Sequence, residues 1–221
     1  MFKNNIELAA WCKEKAGCPY WYGTFGQTAS ESLLQQKKAQ YPKHYADSRL
    51  KKMRSHFGRQ VFDCVGLIKG YVWEQGGKII YDPAQDVSAD AMYLRCTEKG
   101  DINTMPEIKG LLVFKKGHTG VYIGDGRVVE AKGFDYGVVI SKLSGSGFTV
   151  WGKCPFITYL EKYDVDGDGK VTPADARAVL RHSARLIKLT AAEQYSADVN
   201  SDGKVDAADA RLIMRQSQGL S

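Results

Sequence analysis

An acidic segment occurs twice near the end of the chain, and this repeat restricts the fold more than any other sequence feature. Residues 164–177 return 34 residues later as residues 198–211. Each copy has side-chain oxygens at loop positions 1, 3, 5, 9 and 12, a glycine at position 6 and a backbone carbonyl at position 7, which is the ligand pattern of a calcium loop. An acidic solvated loop without metal is the alternative, but two copies in register predict two bound Ca²⁺ ions. The predicted ligands are Asp164, Asp166, Asp168, Lys170, Thr172 and Asp175 in the first loop and Asp198, Asn200, Asp202, Lys204, Asp206 and Asp209 in the second.

Each calcium loop leads into a predicted helix, at residues 174–186 and 207–216, and no good entering helix precedes either loop. Position 12 is Asp in both loops, whereas EF-hands usually have Glu there. This pattern resembles a type I dockerin over residues 163–218. The resemblance implies a small all-α calcium-binding domain whose partner is a cohesin module of a scaffold protein. Loop positions 10 and 11, where dockerins usually carry their recognition residues, are small or apolar here, so the partner of the tail stays open.

The distribution of charge separates this tail from the rest of the chain. The net charge is +6; residues 1–160 hold 22 Lys and Arg against 15 Asp and Glu, whereas residues 161–221 hold 9 against 10. We therefore predict two domains, 1–160 and 163–221. Basic residues are densest at 37–59, which favours attraction to an anionic polymer, but no nucleic-acid-binding signature accompanies them and we expect no such partner. No apolar run reaches the ~18 residues of a membrane-spanning helix.

One cysteine of the larger domain lies at the start of a well-defined helical pattern. Apolar residues recur at three- and four-residue spacing after Cys64, which predicts an amphipathic helix with its buried stripe on the side of Cys64. Asp63 is a favourable N-cap, so Cys64 falls in the first turn, where free backbone N–H groups and the helix dipole favour a thiolate. Cys64 is therefore either a pre-activated nucleophile or an ordinary buried thiol. The chain has five cysteines, so at least one stays free if the others pair.

Helical patterns precede strand patterns in the larger domain. Residues 4–16 and 86–97 are predicted helices, and a loop-and-helix insertion spans residues 27–60. Short apolar runs separated by glycine-rich turns then predict five strands. These strands are residues 111–114, 120–123, 128–131, 138–140 and 149–152. This order indicates an α+β domain in which N-terminal helices pack on an antiparallel sheet.

Two polar residues in the strand region complete a possible catalytic set with Cys64. His118 stands just before one predicted strand, and Glu130 interrupts the next apolar strand twelve residues later. A hairpin through the Gly-Asp-Gly turn between them would place the two strands side by side. Glu130 would then hold one nitrogen of the His118 ring while the other faces Cys64. That is the nucleophile, base and orienting residue of acyl transfer through a thioester.

The segments that carry these residues resemble the NlpC/p60-type cell-wall cysteine peptidases, which have a papain-like fold. The resemblance covers residues 4–160. It rests on residues 19–23, 62–68 and 117–124, and on the polar position in the following strand. It implies a papain-like domain of helices packed on an antiparallel sheet.

The same resemblance implies a role for each residue. Cys64 resembles the nucleophile, His118 the general base and then acid, and Glu130 the orienting residue. Tyr20 resembles the tyrosine whose hydroxyl lies beside the thiol. The backbone N–H of Cys64 would form part of an oxyanion hole.

Three features depart from the usual family pattern. Val65 follows the cysteine where Ser is usual, and Glu130 stands where His is common, although a carboxylate orients an imidazole equally well. The insertion at 27–60 is long, and we predict that it forms a wall of the substrate groove, as in phage lysins of this family.

Residues 1–8 lack the apolar segment of a signal peptide. We therefore expect a protein that acts on the cell wall, either after removal of a leader or after release by lysis.

The resemblance implies hydrolysis of peptidoglycan stem peptides, most often at the γ-D-glutamyl bond to diaminopimelate or lysine. Cleavage of the N-acetylmuramoyl-L-alanine amide by the same site is an alternative. A catalytically silent wall-binding or scaffold protein is a third. A basic surface suits an anionic wall, and its attraction weakens with salt.

Overall fold

A computed structural model describes residues 3–220 of the chain. The chain divides into two compact units: one is Leu8–Ile157, and the other joins the described N-terminal residues up to Glu7 with the chain from Thr158 onward. The helices are α1 (Asn5–Glu14), α2 (Glu31–Gln40), α3 (Asp47–Arg54), α4 (Cys64–Trp73), α5 (Ala89–Arg95), α6 (Pro173–Ser183), α7 (Ala191–Ala197) and α8 (Ala207–Ser217). The strands are β1 (Phe25–Thr28), β2 (Gln60–Phe62), β3 (Glu74–Gln75), β4 (Lys78–Ile79), β5 (Lys99–Asp101), β6 (Leu112–Lys115), β7 (His118–Gly124), β8 (Arg127–Gly133), β9 (Gly137–Lys142) and β10 (Val150–Gly152). In this described range, no helix is both long and apolar enough to cross a lipid bilayer. All five cysteines are free thiols.

The larger unit is built on a six-stranded antiparallel sheet with the strand order β5-β10-β6-β7-β8-β9. The five strands predicted from apolar runs are confirmed as β6 to β10, and the predicted early helices as α1 and α5. The edge strand β5 was not predicted, because its three residues are Lys, Gly and Asp and only pairing with β10 makes them a strand. The α+β class is therefore confirmed.

The helix α4 begins at Cys64 with Asp63 as its N-cap, as the sequence predicts. The predicted amphipathic stripe is wrong, because all nine residues after Cys64 are buried, including Lys69. Contacts on several sides explain this burial: α4 packs on β7 and β8 as well as on β1. The helix is therefore a central element of the core.

Two glycines let α4 approach the chain at the start of β1 closely. A Cβ atom at Gly66 would lie 1.9 Å from the carbonyl oxygen of Thr24, and one at Gly70 would lie 2.6 Å from that of Phe25. Real Cβ atoms do not approach oxygen atoms this closely, so only glycine fits at either position. This backbone-to-backbone contact fixes the distance between α4 and the start of β1, and with it the position of Cys64.

The insertion at residues 27–60 packs around a small hydrophobic core that also includes Trp21 and Val61 from the flanking chain. Ser30 is the N-cap of helix α2, and its hydroxyl accepts the backbone N–H of Leu33 at 3.1 Å. The Tyr45 hydroxyl donates to the Tyr22 carbonyl at 2.7 Å, which ties the insertion to the chain before β1. The core residues are Trp21, Ala29, Leu33, Leu34, Tyr45, Met53 and Val61.

The C-terminal unit contains both predicted loop helices, as α6 and α8. Helix α6 ends at Ser183, three residues before its predicted end at 186. The expectation that no helix enters either loop is wrong for the second loop, because α7 runs up to Ala197, directly before Asp198. A capping box that joins Thr190 and Glu193 starts this helix. The apolar core of the unit consists of Val165, Ala176, Val179, Leu189, Ala197, Ala210 and Ile213.

Candidate active site

Asp63 organises the N-terminus of α4 next to Cys64. Its Oδ1 atom accepts the backbone N–H of Gly66 at 2.5 Å, and its Oδ2 atom accepts that of Gly23 at 2.8 Å. Burial raises the pKa of Asp63, while Lys69 and the two N–H groups oppose that rise. The side chain therefore joins α4 to the segment before β1 and holds the first turn in place.

The thiol of Cys64 does not have the lowered pKa that its helix position predicts. Burial, followed by the negative charge of Asp63, raises the pKa of the thiol to about 12. Backbone N–H groups of Thr119, Val65 and Cys64 itself lower the pKa but do not offset burial. The predicted direction is wrong because a helix N-terminus stabilises a thiolate by less than loss of water destabilises it. Cys64 consequently keeps its proton at neutral pH until a base removes it.

His118 and Glu130 are joined by a hydrogen bond of 2.7 Å between Nε2 and Oε2. The predicted hairpin is confirmed: β7 and β8 pair through a turn in which Asp125 and Gly126 have φ of 53° and 63°, as a type I′ turn requires. His118 precedes Thr119, whose N–H lies against the Cys64 sulfur. Glu130 engages Nε2, which leaves Nδ1 as the second nitrogen of the imidazole.

Gly120 makes the contact between His118 and Glu130 sterically possible. Val121 pairs with Val129, so Gly120 lies across from Glu130 and His118 is its diagonal neighbour on the same face. A Cβ atom at Gly120 would lie 3.2 Å from the Glu130 Cβ and 2.5 Å from Cγ1 of Val128. Because glycine has no Cβ, Val128 and Glu130 pack directly over Gly120, and the Glu130 side chain reaches diagonally to the imidazole.

Glu130 is 1% exposed, so its interactions are those of a buried carboxylate. Burial raises its pKa, but hydrogen bonds with His118 and Ser141, together with the charges of His118 and Lys132, outweigh burial and leave the pKa below 4.5. Phe148 stacks on the His118 ring with centroids 5.8 Å apart and an interplanar angle of 13°. Sequence analysis missed Phe148, since no local pattern places that segment beside the imidazole. Glu130 and Phe148 together restrict rotation of the ring.

Tyr20 lies near the thiol. An isolated backbone bridge pairs it with Phe62, two residues before Cys64. Burial raises the pKa of the Tyr20 hydroxyl, and the charges of Asp63 and Cys64 raise it further. The hydroxyl therefore stays neutral and is able to donate a hydrogen bond close to the sulfur.

A polar cavity of about 540 Å³ opens beside the N-terminus of α4 and reaches Asp63 and Val65, the neighbours of Cys64. Helix α2 and its C-cap supply one wall, so the insertion borders this cavity. The segment between β4 and α5 supplies a second wall. The lining includes Gln36, Lys37, Gln40 and Tyr41 from the first wall, and Tyr81, Asp86, Val87 and Ser88 from the second. Sequence analysis did not predict this set, because the lining joins residues from four separate stretches of the chain.

Three predicted metal ligands of the first calcium loop converge. Asp164, Asp166 and Asp168 each offer a carboxylate oxygen, and these oxygens lie within 4.8 Å of one another. Ligands bind Ca²⁺ at about 2.3–2.6 Å, so two ligands of one ion are at most ~5 Å apart. Lys170 follows, and its backbone N–H donates to Asp168 at 2.8 Å. The cluster therefore fits a calcium ion.

The second loop has the same course. The backbone N–H of Lys204 donates to Asp202 at 2.8 Å, and that of Asp202 donates to the Asn200 side chain at 3.0 Å. The Oδ1 atom of Asp198 is buried and has no hydrogen-bond partner in the part of the chain that the structure describes. Burial of a bare carboxylate oxygen is unfavourable, and a cation at this position would remove that penalty.

The last two predicted ligands of each loop serve as helix caps in the structure. Thr172 and Asp175 form a capping box at α6, and Asp206 and Asp209 form one at α8. Asp175 also accepts the N–H of Val165 at 2.8 Å. Both position-12 carboxylates are buried and fasten their loops to the following helices.

A helix-borne cysteine, a histidine–carboxylate pair on adjacent strands and an α+β architecture define the papain-like fold class. A sequence model of the NlpC/P60 family matches residues 33–153, more than half of the chain. The chain therefore belongs to the NlpC/P60 family. A model of the dockerin type I domain matches residues 162–216, and such domains generally bind calcium.

Several solved structures are similar to the chain. NlpC2 from Trichomonas vaginalis matches with a TM-score of 0.43 and 16% identity over 71% of this chain and 47% of that chain, so the chain spans about half the length of that protein. The P60 domain of an antigen from M. avium subspecies paratuberculosis matches with a TM-score of 0.42 and 21% identity over 70% of this chain and 96% of that chain. The peptidoglycan hydrolase RipB from Mycobacterium tuberculosis matches with a TM-score of 0.41 and 20% identity over 70% of this chain and 66% of that chain. No curated protein sequence matches the chain significantly.

Proposed function

We propose that the chain is a cysteine hydrolase of peptidoglycan stem peptides, cutting the γ-D-glutamyl bond to diaminopimelate or lysine. The observation that carries this proposal is the 2.7 Å hydrogen bond between His118 on β7 and Glu130 on β8. The backbone N–H of Thr119, which follows His118, lowers the pKa of the Cys64 thiol and so lies near it. Membership of the NlpC/P60 family supports it, because members typically act on the cell wall. The proposed catalytic residues are Cys64, His118, Glu130 and Tyr20.

In the proposed first step, the Nδ1 atom of His118 takes the proton from the Cys64 thiol as the sulfur attacks the carbonyl carbon of the scissile amide. A base is necessary here, since a thiol with a pKa of about 12 is almost wholly protonated at neutral pH. The carbonyl oxygen becomes an oxyanion, which accepts the backbone N–H of Cys64 and a hydrogen bond from the Tyr20 hydroxyl. Glu130 stabilises the imidazolium through Nε2.

In the second step, His118 returns its proton to the nitrogen of the leaving amine, the C–N bond breaks, and a thioester remains on Cys64. His118 then removes a proton from a water molecule, whose oxygen adds to the thioester carbonyl. Collapse of that intermediate breaks the C–S bond, releases the carboxylic acid and returns the proton to the sulfur. The cycle uses one water and leaves the site unchanged.

We also propose that the C-terminal residues 163–221 form a separate calcium-dependent domain with two Ca²⁺ sites, next to a catalytic domain at 1–160. The dockerin match and the converging carboxylates of the first loop support this. A cohesin module is the proposed partner, and an extracellular or wall-associated location follows from both domains. Chelation of calcium should unfold the tail and leave hydrolysis of small muropeptides mostly intact; loss of that activity would contradict the division.

Incubation of the purified calcium-loaded chain with cell walls tests the catalytic proposal. Wild type should release muropeptides and clear the suspension, and Cys64→Ala should not. Cys18→Ala is the matched control, because Cys18 is a partly exposed free thiol outside the site. Mass spectrometry of the fragments identifies the bond: an N-acetylmuramoyl-L-alanine cut would replace the proposed specificity with an amidase. No clearing and no released muropeptide with either wild type or Cys64→Ala would instead indicate a wall-binding protein without catalysis.

A further inference from the structure

Lys37 is a buried cation that lines the cavity beside the proposed nucleophile. It lies on α2, is 7% exposed, and shares the cavity wall with Gln36 and Gln40. Its ammonium donates a hydrogen bond to the neutral Oε1 atom of Gln40 at 3.2 Å and lies 5.7 Å from the centroid of the Tyr41 ring. Among the described residues, none forms a salt bridge with Lys37. A buried ammonium without a carboxylate partner is unusual, because loss of water around a charge is costly unless another charge replaces it.

The other charged groups of the cavity already have partners. Lys69 pairs with Asp86 at 2.5 Å, and the second oxygen of Asp86 accepts the Tyr81 hydroxyl at 2.9 Å. Both oxygens of Asp63 accept backbone N–H groups. Burial lowers the pKa of Lys37, and the charges of Asp63 and Asp86 act against this without making direct contact. Lys37 is therefore the charge that remains for a ligand.

We propose that Lys37 binds a free carboxylate of the stem peptide and so makes the insertion a specificity element. This rests on the proposed hydrolase function. The cavity volume of about 540 Å³ lies within the ~300–1,000 Å³ range of small-ligand sites. The cavity adjoins both chain neighbours of Cys64, so a carboxylate bound there would belong to a residue close to the scissile bond. The amides of Gln36 and Gln40 supply hydrogen-bond donors beside the ammonium.

The test uses synthetic stem peptides in which each free carboxylate is amidated in turn, with kcat and KM measured by chromatography of the products. For one carboxylate, wild type should prefer the acid over the amide by about 10- to 100-fold, mainly through KM, as a charged hydrogen bond implies. Lys37→Met should cleave that acid and amide alike. Lys38→Met is the matched control: it removes the same charge from the same helix, but Lys38 pairs with Asp47 at the surface, so the wild-type preference should remain.

Lys37→Met should also fold at least as stably as wild type, since it removes an unpaired buried charge; Lys37→Gln provides a second neutral variant. An unchanged acid preference in both variants, or equal cleavage of every acid and amide by wild type, would overturn the role of Lys37. If wild type cleaves none of the peptides, the hydrolase proposal is contradicted, and the role of Lys37 is tested by binding alone. Calorimetry on Cys64→Ala with and without Lys37→Met then decides the inference: tighter binding of the acid only when Lys37 is present supports it, and equal binding refutes it.

Discussion

Substitution of Gly120 by alanine tests whether the missing side chain at this position of β7 lets Glu130 orient His118, the proposed catalytic base. The backbone at Gly120 has an ordinary extended conformation, so the effect of a methyl group is steric. That methyl carbon would lie 2.5 Å from Cγ1 of Val128, 3.1 Å from the Val129 carbonyl oxygen and 3.2 Å from Cβ of Glu130. Val128 is fully buried and the backbone oxygen is fixed by sheet pairing, so the methyl group should displace the Glu130 side chain.

The expected magnitudes follow from this overlap. Overpacking of a core by one methyl group destabilises a protein by about 1–3 kcal/mol. Lengthening of the His118–Glu130 bond removes a charge-assisted hydrogen bond worth about 1.5–3 kcal/mol, which corresponds to a loss of about 10- to 150-fold in kcat/KM. The loss should fall mainly on kcat, because Glu130 acts on the imidazolium formed during attack.

Gly100→Ala is the matched control for this measurement. Gly100 lies on β5 of the same sheet, where an added Cβ would meet Oγ1 of Thr104 at 2.9 Å and Nε1 of Trp151 at 3.0 Å. Urea unfolding should show a loss of stability for both variants, whereas release of muropeptides should fall only for Gly120→Ala. Equal activity of the two variants, after correction for the folded fraction, would refute the positioning role of Gly120.

Three further outcomes are expected. Because burial raises the pKa of the Cys64 thiol to about 12, the rate of iodoacetamide alkylation of Cys64 in His118→Ala should rise about tenfold per pH unit up to about pH 10; a plateau below about pH 8 would show that the helix N-terminus prevails. The pKa of Glu130 is lowered below 4.5 in the folded state, so its ionisation stabilises the fold above about pH 4.5 and this contribution is lost as pH falls through the folded pKa; the difference in unfolding free energy between wild type and Glu130→Gln should shrink in acid. Calorimetry should count two Ca²⁺ ions in wild type and one in each of Asp164→Asn and Asp198→Asn, and unchanged stoichiometry in either variant would contradict the assigned ligands.

Much of the proposed catalytic arrangement was predictable from local sequence. Asp63 and Cys64 follow from capping preference and helical spacing, and the Gly-Asp-Gly turn is a strong hairpin signal that brings the strands of His118 and Glu130 together. These features depend on residues within a few positions of one another. The same holds for the calcium loops, in which the spacing of Asp164, Asp166 and Asp168 already specifies convergence.

Features that depend on tertiary burial were not predictable in this way. The pKa of Cys64 moves opposite to its helix position because neighbouring elements cover most of the thiol, and no single segment encodes that burial. Lys69 interrupts an apolar helix, where a lysine ordinarily marks the solvent face, yet pairing with Asp86 keeps it inside. Phe148 comes from a glycine-rich turn and reaches His118 only because β10 returns to the sheet beside β6.

The seam where Gly66 and Gly70 meet the carbonyl oxygens of Thr24 and Phe25 contains main-chain atoms on both sides. A side chain under pressure changes rotamer, but a peptide group held in a helix has no such freedom. Substitution of an apolar residue around α4 should therefore be absorbed by neighbouring side chains before this seam moves. Cys64 lies half a turn from Gly66, so the position of its sulfur should stay fixed when the surrounding side chains repack.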